Sequence, residues 1–469
     1  MRNLFSKSRL LSFLTRAVHD KRGVTAVAFA ITFAVLAPMS LGIFDVYTMT
    51  EQHGKLQDAL DAATLYAARS NAFTTADVNT VGQKALTANL QLIPGASLQS
   101  SSFALVTTTA GDTKVVANAA VTLPAFAPME FSHDAVAVTS EVTRPGNNLE
   151  VALVLDNTGS MAGSPMTSLQ SAANQLIDLV VSPTQTPYYS KMAIVPYSNS
   201  VNAGSYATAA RGILSSGQAC GSNAYGCPNY TFNNAARPSR QETLPVTTCV
   251  SERVGTNAYN DNAPAGSPVG FVYQQPSSEG NNCISATIRP LSSDITALHS
   301  TIASLTANGS TAGHIGLAWG WYMISPNWAN LFPSDSQGAA YGTPHLIKAV
   351  ILMTDGDFNT TYCNGVISGI TSATDGSAGS LTYHSNCGSP NGDSFTQAQN
   401  LCNAMKAAPN NIVIYSVGFL HSGTDIPAEN ILNNCATDSK HVYFPTTGSS
   451  LQAAFQAIAA DLNKLRLSH

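Results

Sequence analysis

Charge is what this sequence has least of. Asp, Glu, Lys and Arg make up 10% of its 469 residues, against about 25% in ordinary soluble proteins. Small residues, among them 34 Gly, fill the space instead. That suits an exported protein with long polar loops better than a salt-laced cytosolic enzyme. Basic charge is scarcest outside the start of the chain. Residues 1–22 hold Arg2, Lys7, Arg9, Arg16, Lys21 and Arg22 against Asp20, a balance of +5, so the remaining 447 residues carry −10 of the overall −5. An acidic body offers nothing to a phosphate backbone, which excludes nucleic acid as a partner. Enzyme signatures are missing too. No G-x-x-x-x-G-K-S/T run, G-x-S-x-G turn or H-E-x-x-H pair occurs, and no nucleophile pairs convincingly with a base, so a non-enzymatic protein is expected.

One long stretch has no charge at all. Gly23–Phe44 is 22 residues of mostly apolar character, about 33 Å as a helix and enough to cross a hydrocarbon core of about 30 Å. A cleaved signal peptide is the competing reading. The run exceeds a usual signal core, and no A-x-A site closes it before Asp45, so residues 23–44 are read as an uncleaved anchor. Positive charge stays inside, which puts 1–22 in the cytoplasm and everything after Asp45 outside. The cysteines agree with an oxidising compartment. All eight lie between Cys220 and Cys435, an even number confined to the exported part. The pairings local in sequence are Cys220–Cys227, Cys249–Cys283, Cys363–Cys387 and Cys402–Cys435, among 105 possible arrangements. Zinc at Cys363, His384 and Cys387 competes, but paired C-x-x-C elements are absent.

After the anchor, Leu56, Leu60, Ala63 and Leu65–Tyr66 keep a helical period, and residues 100–143 alternate Val with Thr, Ser and Ala in strand fashion. A helix plus a small β segment over 45–147 follows. From 148 to 469 the pattern is β, α, β, α. "LEVALVLDN" is a buried strand, "SPMTSLQSAANQLIDLVVS" a helix with Leu169, Ala173, Leu176 and Leu179 on one face, and "HLIKAVILMTDGD" and "NIVIYSVGFL" are later strands. Apolar strands alternating with helices predict an α/β domain with a doubly wound, mainly parallel sheet. Residues 200–291 and 357–393, lacking hydrophobic periodicity, are expected to be long insertions stapled by cysteines.

In such a sheet ligands sit at the carboxyl ends of the strands. The first strand ends at Asp156, followed by Thr158 and Ser160. A later one ends at Asp355 in T-D-G, and between them Thr311 stands in the Gly-rich turn "ANGSTAGHIG". Two carboxylates and three neutral hydroxyls suit a divalent cation, Mg²⁺ first, with Ca²⁺ and Mn²⁺ next. The alternative is that the hydroxyls after Asp156 cap a helix. Asp355, Asp357 and Asn359 also mimic the start of a calcium loop, but its sixth and twelfth positions are Thr360 and Val366 instead of Gly and Glu. Asp357 is therefore expected beside the site and not as a ligand. His314 is expected to be structural, and Trp319, Trp321 and Tyr322 to be core.

Asp156-x-Thr158-x-Ser160, then Thr311, then Asp355, in that order on alternating strands and helices, resembles the metal-ion-dependent adhesion site of von Willebrand factor type A domains, which are Rossmann-like. The resemblance implies that Ser160, Thr158 and Thr311 meet the ion directly or nearly so, and Asp156 and Asp355 directly or through water. "RGVTAVAFAI", Asp45, "KLQDALDAATLYAAR", "IGLAWGWYMISP" and the ending "LQAAFQAIAADLNKLRLSH" resemble TadE/TadG-like proteins of the Flp (tight-adherence) pilus assembly system. The match departs from a processed prepilin at Ala28, where Glu would be expected. The resemblance implies a single-pass inner-membrane protein with a periplasmic domain. That domain would recognise a pilus component by an Asp or Glu completing the metal shell. A surface adhesin or pilus-tip subunit is the second reading, and a metal-dependent hydrolase or phosphotransferase the third.

Overall fold

The computed structural model describes residues 24–466 except 71, 73, 109–112, 123–134, 145, 221–223, 275–281, 370–380 and 420–425. The basic segment 1–22 and Gly23, the first residue of the expected anchor, lie outside the described residues. The chain divides into two compact units, Met1–Arg144 and Pro145–His469.

The first unit is built on one helix with two surroundings. Helix α1 (Val24–Arg69) runs unbroken through Pro38. Its first part leaves Phe29, Ile31, Phe33 and Leu36 exposed. Its last part buries Leu56, Leu60, Ala63 and Ala67 against Phe103, Val115, Ala117 and Val121. Hydroxyls on α1 bond back to carbonyls four residues earlier, Thr32 to Ala28 at 2.7 Å and Ser40 to Leu36 at 2.7 Å. A hydroxyl satisfied within its own helix is tolerated in an apolar surrounding. Among the described residues, α1 is the one helix long and apolar enough to cross a membrane. Helix α2 (Thr75–Leu90), capped by Thr74 accepting from the Asp77 amide at 3.1 Å, packs beside it. The antiparallel sheet β1 (Ser97–Thr107), β2 (Thr113–Thr122) and β3 (Val136–Arg144) completes the unit. Helix α2 was not foreseen: its apolar positions Val78, Leu86 and Leu90 are sparse in a polar sequence.

The second unit follows, in chain order, β4 (Asn148–Asp156), α3 (Ser164–Val180), β5 (Ser190–Tyr197), β6 (Val201–Asn202), α4 (Ala207–Arg211), β7 (Asn229–Asn233), β8 (Gln241–Ser251), β9 (Gly270–Tyr273), β10 (Arg289–Ser292), α5 (Ile295–Ala303), α6 (Gly313–Ile324), β11 (Leu346–Thr354), β12 (Tyr362–Cys363), β13 (Val366–Ile367), α7 (Ser394–Lys406), β14 (Val413–Gly418), α8 (Ile426–Cys435), β15 (Val442–Tyr443) and α9 (Gly448–Arg466). Its main sheet has the order β10-β5-β4-β11-β14-β15. All neighbours pair in parallel except β10, which is antiparallel to β5. Side chains alternate across the sheet, so each apolar strand feeds two cores. Ala152, Val154, Val350 and Leu352 pack against α6 and α7, while Val151, Leu153, Ile351 and Met353 pack against α3, α5 and α9. Trp319, Trp321 and Tyr322 are fully buried core residues of α6.

Three details differ from the sequence reading. Leu179 is not on the buried face of α3 but 45% exposed, and Ile177 and Val180 are buried in its place, because 3.6 residues per turn carries the fourth position off the stripe. Asp355 follows β11 instead of lying in it. The insertion 200–291 is not loop throughout, since β6, β7 and β9 pair with β8 into a sheet of their own. Tyr230, Phe232, Leu244, Phe271 and Tyr273 form its core. The alternating "NYTFN" carries that strand signal, but it is only five residues long. All eight cysteines are paired, Cys220–Cys227, Cys249–Cys283, Cys363–Cys387 and Cys402–Cys435. The Cys363–Cys387 bond removes both thiolates that a zinc site with His384 would need.

Candidate functional site

Parallel pairing of β4 with β11, with Val154 beside Leu352, brings the two strand ends together. Asp156 is wholly buried there and Asp355 nearly so. Asp156 Oδ1 accepts from the Thr158 amide at 2.8 Å. Its Oδ2 accepts from Thr354 Oγ1 at 2.9 Å, from the Tyr197 hydroxyl at 3.1 Å and from the Asp355 amide at 3.4 Å. Ser160 Oγ donates to Asp355 Oδ1 at 2.8 Å and lies 2.9 Å from Thr158 Oγ1. Asp156, Thr158, Ser160 and Asp355 thus form one connected group. The capping alternative has no bond to support it. Thr158 makes no side-chain cap to the turn Gly159–Met161, and the residue preceding α3 is Gly163.

Thr311 arrives on a separate loop, sewn onto the first. The Asn308 amide donates to the Asn157 carbonyl at 2.8 Å, the Gly159 amide to the Gly309 carbonyl at 2.8 Å, and the Ala312 amide to the Ser198 carbonyl at 2.7 Å. Gly309 is needed for this approach. Its φ is +85°, and a Cβ there would meet Asn199 Oδ1 at 2.5 Å. The Thr311 amide donates to Asn359 Oδ1 at 2.8 Å and its carbonyl accepts from the Asn359 amide at 2.8 Å. Among the described residues the Thr311 hydroxyl makes no hydrogen bond to either carboxylate or to Thr158 or Ser160.

The electrostatics follow from burial. Desolvation raises the Asp156 carboxyl above its ordinary range. Asp355 is pushed up to about 7, first by burial and then by the charge of Asp156. Burial and the same charge hold the Tyr197 phenol protonated. Two like charges in one dry site disfavour joint ionisation, and a proton or a cation relieves the conflict. The donors are all oxygen, which fits a hard divalent cation. Among the described residues no cluster of three or more His, Cys, Asp or Glu side chains is placed to hold a metal, so such an ion would rest on two carboxylates and hydroxyls. His314 is elsewhere, with Nε2 3.9 Å from Glu252 Oε1.

Sequence reasoning missed Tyr197 and Thr354, and it met Asn359 only as a position of the rejected calcium loop and not as the partner of Thr311. A Tyr closing the apolar strand "KMAIVPY" carries no motif, and Thr354 showed only as the neighbour of Asp355.

The chain matches no protein-family model and no curated protein. Among solved structures it is similar to the vWF domain of the type V pili tip protein Mfa5 from Porphyromonas gingivalis, at 13% identity and a TM-score of 0.37 over 69% of this chain and 98% of that one. It is also similar to the pilus adhesin SpaC from Lactobacillus rhamnosus GG, at 13% identity and a TM-score of 0.35, covering 80% of this chain and 35% of that one. A third is proximal thread matrix protein 1 from the mussel byssus with a zinc-occupied MIDAS motif, at 12% identity and a TM-score of 0.30 over 68% of this chain and 46% of that one.

Proposed function

We propose that this chain is a membrane-anchored protein of Flp/Tad-type pilus biogenesis. Its second unit is a von Willebrand factor type A domain, doubly wound, that binds a protein partner through a metal-ion-dependent adhesion site. Asp156, Thr158, Ser160, Thr311 and Asp355 hold a divalent cation, Mg²⁺ before Ca²⁺ or Mn²⁺. The residues α1 exposes anchor it in the inner membrane, with the domain on the periplasmic side. The observation that carries the reading is the Asp156–Thr158–Ser160–Asp355 group at the adjoining ends of β4 and β11. Neutral hydroxyls leave residual positive charge on the cation, and an Asp or Glu side chain of the partner supplies the remaining oxygen. The site binds; it does not turn over a substrate.

The test is calorimetric titration of the full chain in detergent with Mg²⁺ and with Mn²⁺, beside Asp156→Asn. Asn keeps the shape of the buried side chain while removing its charge. Saturable binding in the natural protein and none in the variant is expected. Binding of equal strength in both would sink the reading.

A further inference from the structure

We propose that Asn359 is the positioning residue of the cation site. Its carboxamide fixes the Thr311 loop against the segment that follows Asp355, so the ligands stand in place before an ion arrives. This role rests on the cation-site assignment above and adds to it a residue that touches no ion.

Thr311 and Asp355 come from different loops, and the Thr311 hydroxyl does not tie them together. Asn359 ties the backbones instead. Its Oδ1 accepts from the Thr311 amide at 2.8 Å, and its own amide donates to the Thr311 carbonyl at 2.8 Å. Both backbone polar groups of Thr311 are thus met by one residue 48 positions away, as in a hydrogen-bonded antiparallel pair. The adjacent Thr360 Oγ1 lies 2.8 Å from Ser310 Oγ and 3.0 Å from Asn359 Oδ1, which extends the seam by one residue on each side. The Thr311 N–H needs an acceptor, and that need assigns the oxygen of the carboxamide to this side.

A side chain positions its partner only if its own backbone is held. Ser394 Oγ, at the start of α7, donates to the Phe358 carbonyl at 2.8 Å. The Phe358 ring lies so close to Gly313 that a Cβ there would meet it at 2.0 Å, and it stacks on Phe395 at 5.9 Å. On the other side, the Tyr362 amide donates to Glu252 Oε1 at 2.9 Å. The chain is therefore anchored at 358 and at 362. Asn359, between them, is only half-buried, so its side chain sets the register of two loops and adds little to the core. Partners that orient metal ligands in this way typically account for about 10–100-fold in metal affinity.

The experiment compares the full chain in detergent with Asn359→Ala, which removes the acceptor, and Asn359→Asp, which keeps it in the same shape. Amide hydrogen exchange is read first, with a chelator present. The Thr311 amide is expected to exchange at least about fivefold faster in Asn359→Ala and at the natural rate in Asn359→Asp. Unchanged exchange of the β11 amides shows that each variant is folded, and Asn359→Leu, which keeps the volume without an acceptor, stands in if Ala does not fold. Calorimetric titration with Mg²⁺ is then expected to give an affinity at least about tenfold weaker in Asn359→Ala and no weaker than natural in Asn359→Asp. Equal Thr311 exchange in the natural chain and Asn359→Ala overturns the proposal. So does an unaltered Mg²⁺ affinity in Asn359→Ala, or an equal loss in the Ala and Asp variants. A natural chain that binds no Mg²⁺ sinks the cation assignment instead, and the metal-free exchange then decides alone whether Asn359 holds Thr311.

Discussion

Ser160 is exposed, yet its hydroxyl joins Thr158 Oγ1 to Asp355 Oδ1. Removing it costs no core packing, so Ser160→Ala is expected to leave stability nearly unchanged while lowering Mg²⁺ affinity by about tenfold or more. Calorimetry against the natural protein reads the change, and an unaltered affinity would remove Ser160 from the cation site. Residue patterns made this group legible: Asp-x-Thr-x-Ser and T-D-G at apolar strand ends need no partner to be noticed. Tyr197 and Asn359 act through contacts with residues far off in sequence, which no local pattern shows. His384 is a second case. It is buried, and desolvation lowers its imidazole to about 4, below the ordinary 6.5 of an unfolded chain. Between those values the unfolded chain binds the extra proton, so stability is lost as pH falls through that window. Chemical denaturation at pH 7 and pH 5 is expected to differ by about 2 kcal/mol more in the natural protein than in His384→Asn. Equal differences would show that His384 is not held neutral by the fold.

At the scale of elements, α6 links packing to the site. Gly316 faces Tyr197 so closely that a Cβ would meet its Cδ1 at 2.6 Å and its Cγ at 2.7 Å. Tyr197 in turn donates to Asp156 Oδ2 and to the Met353 carbonyl. Gly316→Ala is therefore expected to destabilise the unit by about 1–3 kcal/mol and to weaken cation binding, though it touches no ligand. Thermal unfolding and Mg²⁺ titration measure the two effects, and loss of stability with unchanged affinity would uncouple Tyr197 from the site. The Cys402–Cys435 bond ties α7 to α8 across a sequence separation of 33. Loop closure of that length predicts about 3–4 kcal/mol lost in Cys402→Ala/Cys435→Ala. All three tryptophans lie in this unit, so denaturant unfolding followed by their emission reports it. A midpoint unmoved by the double substitution would contradict the estimate. The alternation of strands and helices in a mainly parallel sheet was legible because apolar runs mark buried strands, whereas the strand order was not read. The β6–β9 sheet was not legible, because a few aromatics alternating in a polar, glycine-rich stretch raise no window average.

For the whole molecule, the decisive contrast is within α1. The same helix offers bare Phe29, Ile31 and Phe33 early and buried Leu56, Leu60 and Ala63 late. Left in water, such an exposed run costs about 25 cal/mol per Å² of apolar surface. A hydrocarbon layer would remove that cost for the early part, as the β1–β3 sheet does for the late part. The chain is therefore expected to stay in the membrane pellet through alkaline carbonate extraction, and Phe33→Arg, which costs about 2.5–3.5 kcal/mol at a bilayer centre, to reduce that retention. Release of the natural protein into the supernatant would make the run a removed signal. Shearing then separates the two binding roles: an assembly component remains with the inner membrane, whereas a surface adhesin or tip subunit leaves with the sheared pili. Recovery of the chain in the sheared fraction would transfer the proposed cation site from assembly to adhesion, since two carboxylates with neutral hydroxyls would serve either partner by the same chemistry.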